Sequence, residues 1–344
     1  MFRRLDGGFF GKILKVGPTV TIPTHAKPPV FRRRLAAAAL VVALLPAGTA
    51  PTGGDEPAAS VYSRGPDGAA TPAAAPTEDA AAQAERIVAS SLAVFARAKA
   101  VSLKIRQKAR VGDRVLVGTG RYIQSGKGEE QRFRFDSTLT CDTETFELTE
   151  VSDGLFCWMH QHNGEEPATL QRIDVRRVRG KLSALKAPDA ADGTAYLGGL
   201  QRTLRLLRHW FRFSEATPGD LEGTPVWIVQ GNWAPDHLGI VLPELKDRIK
   251  QPGGVGPADL PDGVPWSIRL SIGKSDLVPR RIEWLAIPGR RPVADATPEP
   301  IGAMDLHDVE LNGPVDATAF FYQPATEGLI DITEMYVNGL GLMR

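Results

Sequence analysis

The residues of this chain that could do chemistry are few, and their spacing argues against a catalytic or metal site. Cys157, His160 and His162 form the densest group of metal-ligating types. On a β-strand successive side chains point to opposite faces, so Cys157 would face away from both histidines. Ser183 and Lys186 have the spacing of a serine–lysine nucleophile pair, but the companion motifs of that chemistry do not occur in the sequence. These residues predict neither a metal ion nor catalysis.

The other candidate groups lead to the same expectation. His209 follows Arg208 on what would be the polar side of a helix, where we expect contact with solvent, and His237 has no evident carboxylate to orient it. The sequence lacks a Gly-x-Ser-x-Gly nucleophile elbow, a phosphate-binding loop and a dinucleotide fingerprint. We therefore expect a protein that is not an enzyme and has no cofactor.

The two cysteines raise the question of a disulfide. If tight turns connect the strands around them, Cys141 lies opposite Glu144 and Cys157 lies opposite Glu150 on the strand between. The two thiols would then be about six residues apart along the sheet, or roughly 20 Å. A disulfide needs Cα atoms within about 7 Å. We therefore expect two free thiols.

The composition indicates a β-rich globular fold. The 344 residues are 42% hydrophobic, which is enough for a sizeable core. The 35 glycines and 27 prolines fall mainly between short alternating runs, where turns between strands would lie. The 41 basic and 40 acidic side chains leave a formal net charge of +1, so no overall field favours nucleic acid.

The first part of the chain has the order of a secretory leader. Three arginines at 32–34 precede an apolar run at 35–45, and residues 1–50 are interpreted as a leader with a signal peptide. The run is shorter than the ~20 residues that span a bilayer, and retention as an N-terminal anchor is the alternative. Residues 51–78, rich in Ala, Pro and Gly, indicate a disordered linker. The folded domain is expected at 79–344.

Hydrophobic periodicity places the elements of that domain. Helical spacing predicts one amphipathic helix that ends near Ala100 and a second at 195–211. Alternation of apolar and polar residues predicts strands, with a hairpin turn at Asp153-Gly154. The predicted strands cover 101–106, 114–123, 132–139, 144–151, 155–161, 224–231, 266–272, 279–287, 304–311 and 319–322. Residues 232–264, which are rich in Pro and Gly around a short helix at 243–250, are interpreted as an inserted surface loop.

The order of these pieces resembles the LolA-type carriers of outer-membrane lipoproteins, and more loosely the lipoprotein-like sigma-regulator domains. The resemblance covers roughly residues 84–333 and departs from the family at the insertion and at 124–130, where the basic residue followed by Pro is replaced by a stretch with only Lys127. The matching pieces are the opening helix that ends in Phe95, the strand at 101–108, Val-Gly-Thr-Gly at 117–120, Val-Ser-Asp-Gly at 151–154 followed by Trp158, and the segment from Gly313 to Pro324.

The resemblance implies a mainly β (α+β) fold: an incomplete antiparallel β-barrel that encloses, or is capped by, amphipathic helices. It implies a monomeric periplasmic carrier that ferries the acyl chains of lipoproteins or other envelope lipids towards the outer membrane, between an inner-membrane ABC-type release complex and an outer-membrane acceptor. The apolar strand faces and the leucine stripe of the second helix would line its cavity. The expected lining is Leu103, Ile105, Phe133, Phe135, Trp158, Leu204, Leu207, Ile268, Leu270, Trp284 and Phe321.

Two alternatives stay open. The same fold could serve as a lipid- or lipoprotein-sensing regulatory module that binds a membrane protein partner. In addition, the hairpin at 144–161 has two partly apolar faces, and either could line the cavity. One face carries Phe146, Leu148 and Met159, and the other carries Val151, Phe156 and Trp158.

Overall fold

A computed structural model describes residues 78–186, 196–287 and 297–340. The predicted leader at 1–50 and the predicted linker up to residue 77 lie outside these residues. None of the described helices is both long enough and apolar enough to cross a membrane.

The described part of the chain contains one sheet of twelve strands. Its order is β12-β6-β5-β4-β3-β2-β1-β11-β10-β9-β8-β7. All neighbouring strands pair antiparallel except β12, which pairs parallel to β6, and the sheet is not closed into a barrel. The strands are β1 (Ala100–Val111), β2 (Arg114–Ser125), β3 (Arg132–Cys141), β4 (Glu144–Ser152), β5 (Phe156–Asn163), β6 (Thr169–Asp174), β7 (Phe211–Leu221), β8 (Thr224–Trp233), β9 (Ser267–Gly273), β10 (Pro279–Ala286), β11 (Glu299–Leu311) and β12 (Leu329–Asp331).

Six α-helices accompany the sheet in the described residues. They are α1 (Glu78–Arg97), α2 (Val175–Ala184), α3 (Gly199–Trp210), α4 (Pro235–Val241), α5 (Lys246–Ile249) and α6 (Thr333–Gly339). The helix α3 has a strong leucine stripe, and Leu200, Leu204 and Leu207 are buried on it. The predicted fold class, an incomplete antiparallel barrel with amphipathic helices, is confirmed.

The sheet is strongly curved, and its dimensions show this directly. The N-terminal end of α3 contacts β3, its C-terminal end leads into β7, and these strands are seven positions apart in the sheet. Seven strand spacings of ~4.8 Å measure roughly 34 Å along the sheet. The 12 residues of α3 span about 18 Å. The sheet must therefore bend around the helix, with α3 on its concave side.

Two glycines of β2 allow part of this bend. A Cβ atom at Gly118 would lie 1.9 Å from the carbonyl oxygen of Thr138, and one at Gly120 would lie 2.6 Å from that of Asp136. The backbones of β2 and β3 approach too closely here for any side chain. Glycine inside a strand commonly marks such a close approach or a tight bend.

The segment at 232–264 is more ordered than the predicted surface loop. It contains α4, α5 and two short 3₁₀ helices at Pro243–Leu245 and Pro257–Asp259. Leu238, Leu260 and Val264 are buried in an apolar cluster of its own. The predicted helix at 243–250 is present as a 3₁₀ turn followed by α5, and α4 was not predicted.

Three strands and three helices of the described residues were not predicted, and one predicted strand is absent from them. The strand β7 contains Pro218 and Gly219, a pair that is typical of turns. It forms a strand nevertheless, because it lies at the edge of the sheet, where proline is tolerated. The predicted strand at 319–322 begins instead as a 3₁₀ helix, Ala317–Phe320, because the Asp316 carboxylate accepts a hydrogen bond from the N–H of Thr318 at 2.9 Å. The unpredicted elements are β6, β7, β12, α2, α4 and α6.

Candidate functional site: the concave face and its covering helix

Nine of the eleven predicted lining residues come together on the concave face. They belong to a single apolar cluster that also takes in α1 and α3, and each is at most 5% exposed. These nine are Leu103, Ile105, Phe133, Phe135, Leu204, Leu207, Ile268, Leu270 and Trp284. The strand residues alternate with polar neighbours on the other side of the sheet, as the sequence pattern predicts.

The structure does not bring Trp158 and Phe321 into this cluster. The side chain of Trp158 lies on the convex side, 6.5 Å from the ring of Tyr322, with the Arg172 guanidinium 5.7 Å from its ring. Phe321 is 67% exposed. The C-terminal segment crosses the outside of the sheet, and Phe320 is buried beneath it.

The same crossing decides which face of the hairpin is inside. Cys157 and Met159 belong to the concave cluster, and Leu148 packs against it. Val151 is nevertheless fully buried on the convex side, because the C-terminal segment covers that surface. One face of the hairpin is covered by the concave cluster and the other by the C-terminal segment. Both faces therefore carry apolar residues, and the sequence alone does not show which of them faces the interior.

The helix α3 is seated on the concave face through its first two glycines. Gly199 has φ +65°, and a Cβ atom there would lie 2.6 Å from Cε2 of Tyr122. At Gly198 a Cβ would lie 2.8 Å from Cζ of Phe133. Only residues without a side chain let the helix begin this close to β2 and β3.

A buried carboxylate holds this end of the helix. Oε2 of Glu150, on the concave side of β4, accepts a hydrogen bond from the N–H of Gly199 at 2.6 Å. Burial raises the pKa of the Glu150 carboxyl, while the Arg202 guanidinium and the Gly199 N–H oppose the rise. A carboxylate at a helix N-terminus is favoured by the exposed N–H groups and by the helix dipole. An otherwise apolar wall thus carries one ionisable anchor for α3.

A second polar group ties both helices to β2. Gln124 Oε1 accepts hydrogen bonds from Tyr122 Oη at 2.8 Å and from Gln201 Nε2 at 2.7 Å. Its Nε2 donates to the carbonyl of Phe95, at the end of α1, at 3.1 Å. Burial, with a smaller contribution from the Glu150 charge, raises the pKa of Tyr122. Gln124 is therefore the residue at which α1, α3 and the sheet meet.

The sequence did not reveal this polar group. In the sequence, Gln124 begins the stretch at 124–130 that departs from the family pattern, and Glu150 lies on a predicted strand opposite Cys157. The sequence does contain one indication of this group. Tyr122, Gln124 and Glu150 are each an even number of positions from the inward-facing residues of their own strands, so they lie on the same face of the sheet. Polar residues on an apolar face predict buried hydrogen bonds.

The thiol and imidazole groups do not meet as a metal site. Cys157 faces the interior and His160 and His162 face outwards, as predicted, and the described residues contain no group of three or more metal-ligating side chains. Burial raises the pKa of the Cys157 thiol, with a further contribution from the Glu150 charge. His209 is not solvated as expected, because its ring stacks on His237 with centroids 4.1 Å apart.

Both cysteines are free and buried. The predicted pairing of Cys141 with Glu144 is confirmed, but Cys157 lies opposite Ser152 and not opposite Glu150. The hairpin turn lies one residue later than predicted, because the N–H of Asp153 donates to the carbonyl of Phe156 at 3.3 Å. This shift moves the partner of Cys157 by two positions, and Asp153 Oδ1 accepts the N–H groups of Leu155 and Phe156 in the turn.

The comparisons with known proteins show similarity to solved structures of one group. No protein-family model and no curated protein matches the chain. It is similar to LprF from Mycobacterium bovis (11% identity, 71% of this chain and 98% of that one, TM-score 0.33) and to the lipoprotein LppX from Mycobacterium tuberculosis (10%, 69% and 98%, TM-score 0.31). It is also similar to a LolA superfamily protein from Nitrosomonas europaea (10%, 70% and 97%, TM-score 0.24).

Proposed function

We propose that the protein is an exported carrier that binds the acyl chains of lipoproteins or other envelope lipids on its concave face. The observation that carries the proposal is the wall itself. Apolar residues from both halves of a twelve-stranded sheet form one surface, and an amphipathic helix with polar anchors at one end covers it. A permanently packed core needs no ionisable group such as Glu150. A helix that opens and closes over the apolar face benefits from hydrogen bonds such as that of Glu150, because these directional contacts define its closed position.

The energetics suit a carrier. Burial of each methylene contributes about 0.8 kcal/mol, so one long acyl chain gains on the order of 10 kcal/mol on leaving water. The same chain gains nearly as much in a bilayer. Transfer into the protein is then close to neutral against a membrane, and both loading and release are feasible.

Entry of an acyl chain requires movement of α3. The wall residues are almost completely buried in the closed arrangement, and Leu200, Leu204 and Leu207 of the helix cover them. We infer that the N-terminal end of α3 moves away from the sheet when the hydrogen bonds of Gly199 to Glu150 and of Gln201 to Gln124 open, while its C-terminal end stays joined to β7. An acyl chain then replaces the leucine stripe against the wall.

A photoreactive fatty acid tests this proposal. We expect a diazirine-bearing palmitate to cross-link to the concave sides of β1, β3 and β9 and to α3, and native mass spectrometry of protein purified without delipidation to show bound acylated species. Cross-links confined to the convex face would contradict the proposal.

A pair of substitutions sharpens this test. Ile105→Phe adds volume to the concave face and should lower uptake of the fatty acid several-fold, whereas Val117→Phe adds the same ring type to the exposed face of the neighbouring strand and should leave uptake unchanged. Circular dichroism checks that both variants fold. Equal uptake by the two folded variants would contradict an internal site.

The alternative is a sensing module that binds lipid without transporting it. One observation favours it: the segment at 232–264 has its own apolar cluster and touches α3 through the stacked rings of His209 and His237. Movement of α3 would then be transmitted to a surface on which a partner could dock. Transfer of a labelled lipid between donor and acceptor vesicles distinguishes the two, because a carrier accelerates transfer and a sensor binds without accelerating it.

The ABC-type release complex and the outer-membrane acceptor belong to the carrier proposal, as do the periplasmic location and the monomeric state.

A further inference from the structure

The convex face of β1 and β2 carries a group of cations that the interior does not use. Lys104, Arg106, Lys108 and Arg110 occupy alternate positions of β1, and all four are exposed on the side opposite the apolar wall. Arg121 is exposed beside them on β2, directly opposite Lys104. At the usual strand rise, the four positions of β1 cover about 20 Å.

The two ends of this row are neutralised by neighbouring carboxylates. Nζ of Lys104 lies 2.9 Å from Oδ2 of Asp308, and Nη1 of Arg110 lies 3.3 Å from Oε2 of Glu299. These are exposed pairs, and exposed pairs compete weakly with other anions.

The middle of the row keeps its charge. Arg106, Lys108 and Arg121 form no ion pair with another described residue. The carboxylates opposite Arg106 and Arg121, those of Asp305 and Asp136, are each engaged by a different arginine. Three positive charges therefore face solvent on a chain whose formal net charge is only +1.

Exposed aliphatic groups lie among these cations. Val115 is 43% exposed opposite Arg110, and Val117 is 49% exposed opposite Lys108. A solvated sheet face normally carries polar residues at such positions. We call Arg106, Lys108, Arg121, Val115 and Val117 together the basic face.

We propose that the basic face docks the protein on the surface of an anionic membrane. Cations that attract anionic headgroups, with aliphatic side chains that enter the boundary between headgroups and acyl chains, are the two contributions from which interfacial binding is built. A fluid leaflet supplies mobile negative charge that can collect beneath the three free cations. An acidic protein would need carboxylates fixed opposite each of them, and the open side of a sheet offers no groove to hold such a partner in register.

Vesicle flotation with the full chain tests the proposal. We expect binding to vesicles of 70% phosphatidylcholine and 30% phosphatidylglycerol at 50 mM salt, at least tenfold weaker binding to pure phosphatidylcholine, and loss of most of the binding at 500 mM salt because of screening. The triple variant R106E/K108E/R121E should bind at least tenfold more weakly than the natural chain. Val115→Ser with Val117→Ser should weaken binding several-fold without changing its salt dependence.

A matched control separates the basic face from general charge. R212E/K246E/K250E changes the net charge by the same amount at exposed cations on other elements, none of which forms an ion pair with another described residue. It should bind like the natural chain. The apolar run at 35–45 is common to all variants, so its contribution cancels in the comparison.

Three results would overturn the proposal. Equal weakening by the control variant would show that only net charge matters. Unchanged binding by the R106E/K108E/R121E variant, with its fold confirmed by circular dichroism, would place the contact elsewhere. Binding of this face to polyglutamate without binding to anionic vesicles would assign it to an acidic protein partner.

Discussion

At the scale of single residues, Glu150 is the group whose chemistry departs most from its surroundings. A carboxyl group buried on an apolar wall would normally be excluded, and it is retained here because it accepts the N–H of Gly199 and faces the charge of Arg202. Its ionisation therefore acts on the seat of α3, and stability should depend on it in a defined direction.

Burial raises the pKa of Glu150 above its ordinary value of 4.5. The folded chain then holds this proton more tightly than the unfolded chain, so the contribution to stability is complete below about pH 4.5 and is lost as the pH rises through the raised pKa. We expect the free energy of unfolding of the natural chain to fall relative to that of Glu150→Gln between pH 4.5 and 8.

Urea denaturation at a series of pH values measures this difference. Glu147→Gln, on the exposed side of the same strand, is the control and should show no such trend. The absolute level for Glu150→Gln also reflects the loss of a charge facing Arg202, so the slope with pH is the test. A flat difference over this range would contradict the raised pKa.

Gly199 gives the second prediction at this scale. Replacement by Ala would place a Cβ atom 2.6 Å from Tyr122 at a residue with φ +65°. The backbone strain alone costs about 1–2 kcal/mol, and the contact adds to it. We expect Gly199→Ala to lower the free energy of unfolding by at least ~1 kcal/mol, measured in urea.

Gly180 provides the matched control for that substitution. It lies inside α2, and a Cβ atom there would have nothing within 4 Å. Gly180→Ala should leave stability unchanged or raise it by up to about 1 kcal/mol, because alanine is the better helix former. If both substitutions had the same effect, the close seating of α3 on β2 would be refuted.

At the scale of elements, the C-terminal strand and helix are fastened to the sheet by one carboxylate. Asp331 accepts a hydrogen bond from the N–H of Thr333, the first residue of α6, at 3.0 Å, and its Oδ2 lies 2.7 Å from Nη2 of Arg172 on β6. The Thr333 hydroxyl and the Arg172 guanidinium lower the pKa of Asp331 to about 2. The lowered pKa means that the ionised form is the one that stabilises the fold.

Asp331→Ala should lower the free energy of unfolding by about 1 kcal/mol at pH 7, the usual net contribution of a side-chain hydrogen bond. The contribution of Asp331 is complete above pH 3.8 and is lost as the pH falls through about 2, so the cost of the substitution should shrink in that range. Thermal unfolding of both chains at pH 7, 4 and 2 measures the cost of the substitution.

Asp113→Ala, in the exposed β1–β2 turn, is the control and should have little effect at any pH. A cost for Asp331→Ala that does not change with pH would contradict the role of the ionised group.

Elements were predictable where one face met water and the other met the core. Strands β1 and β3 show this alternation in their residue types and in their burial, and each lies where it was expected. The strand β9 alternates in residue type and was also predicted, although Ser267 and Ser271 on its polar face are buried. The strand β6 has only Leu170 and Ile173 as apolar anchors, on opposite faces of the strand, so no alternation marks it. Its partner β12, three residues long, is held by pairing with β6 and not by a pattern of its own.

The candidate site was predictable to a similar extent, for a physical reason. Leu103, Phe133 and Ile268 follow from alternation, but Trp158 lies outside because a distant part of the chain covers the convex face. The contact between Trp158 and Tyr322 joins residues 164 positions apart, so it leaves no local signal in the sequence. The curvature that makes the face concave likewise depends on close backbone approach at Gly118, which becomes visible only when β3 is beside it.

At the scale of the whole molecule, the two free thiols lie in different parts of the same concave side. Cys157 is fully buried in the large cluster beneath the helices, and Cys141 lies in a separate small cluster at the hairpin ends, with Leu116 and Leu139. Their partners on β4, Ser152 and Glu144, are eight positions apart, or roughly 26 Å. One thiol therefore reports on the proposed acyl site and the other does not.

Maleimide labelling of single-cysteine variants uses this difference. In Cys141→Ser, reaction of Cys157 requires the helices that bury it to move, and a saturating fatty acid should slow it several-fold because the acyl chain fills the opened space. In Cys157→Ser, the same fatty acid should leave the rate at Cys141 unchanged. Burial raises the pKa of the Cys157 thiol and makes labelling slow in absolute terms, but each rate is compared at the same site and pH, so this effect cancels. Equal protection of both thiols would indicate general stabilisation, and protection of neither would mean that the acyl chain does not enter the concave face.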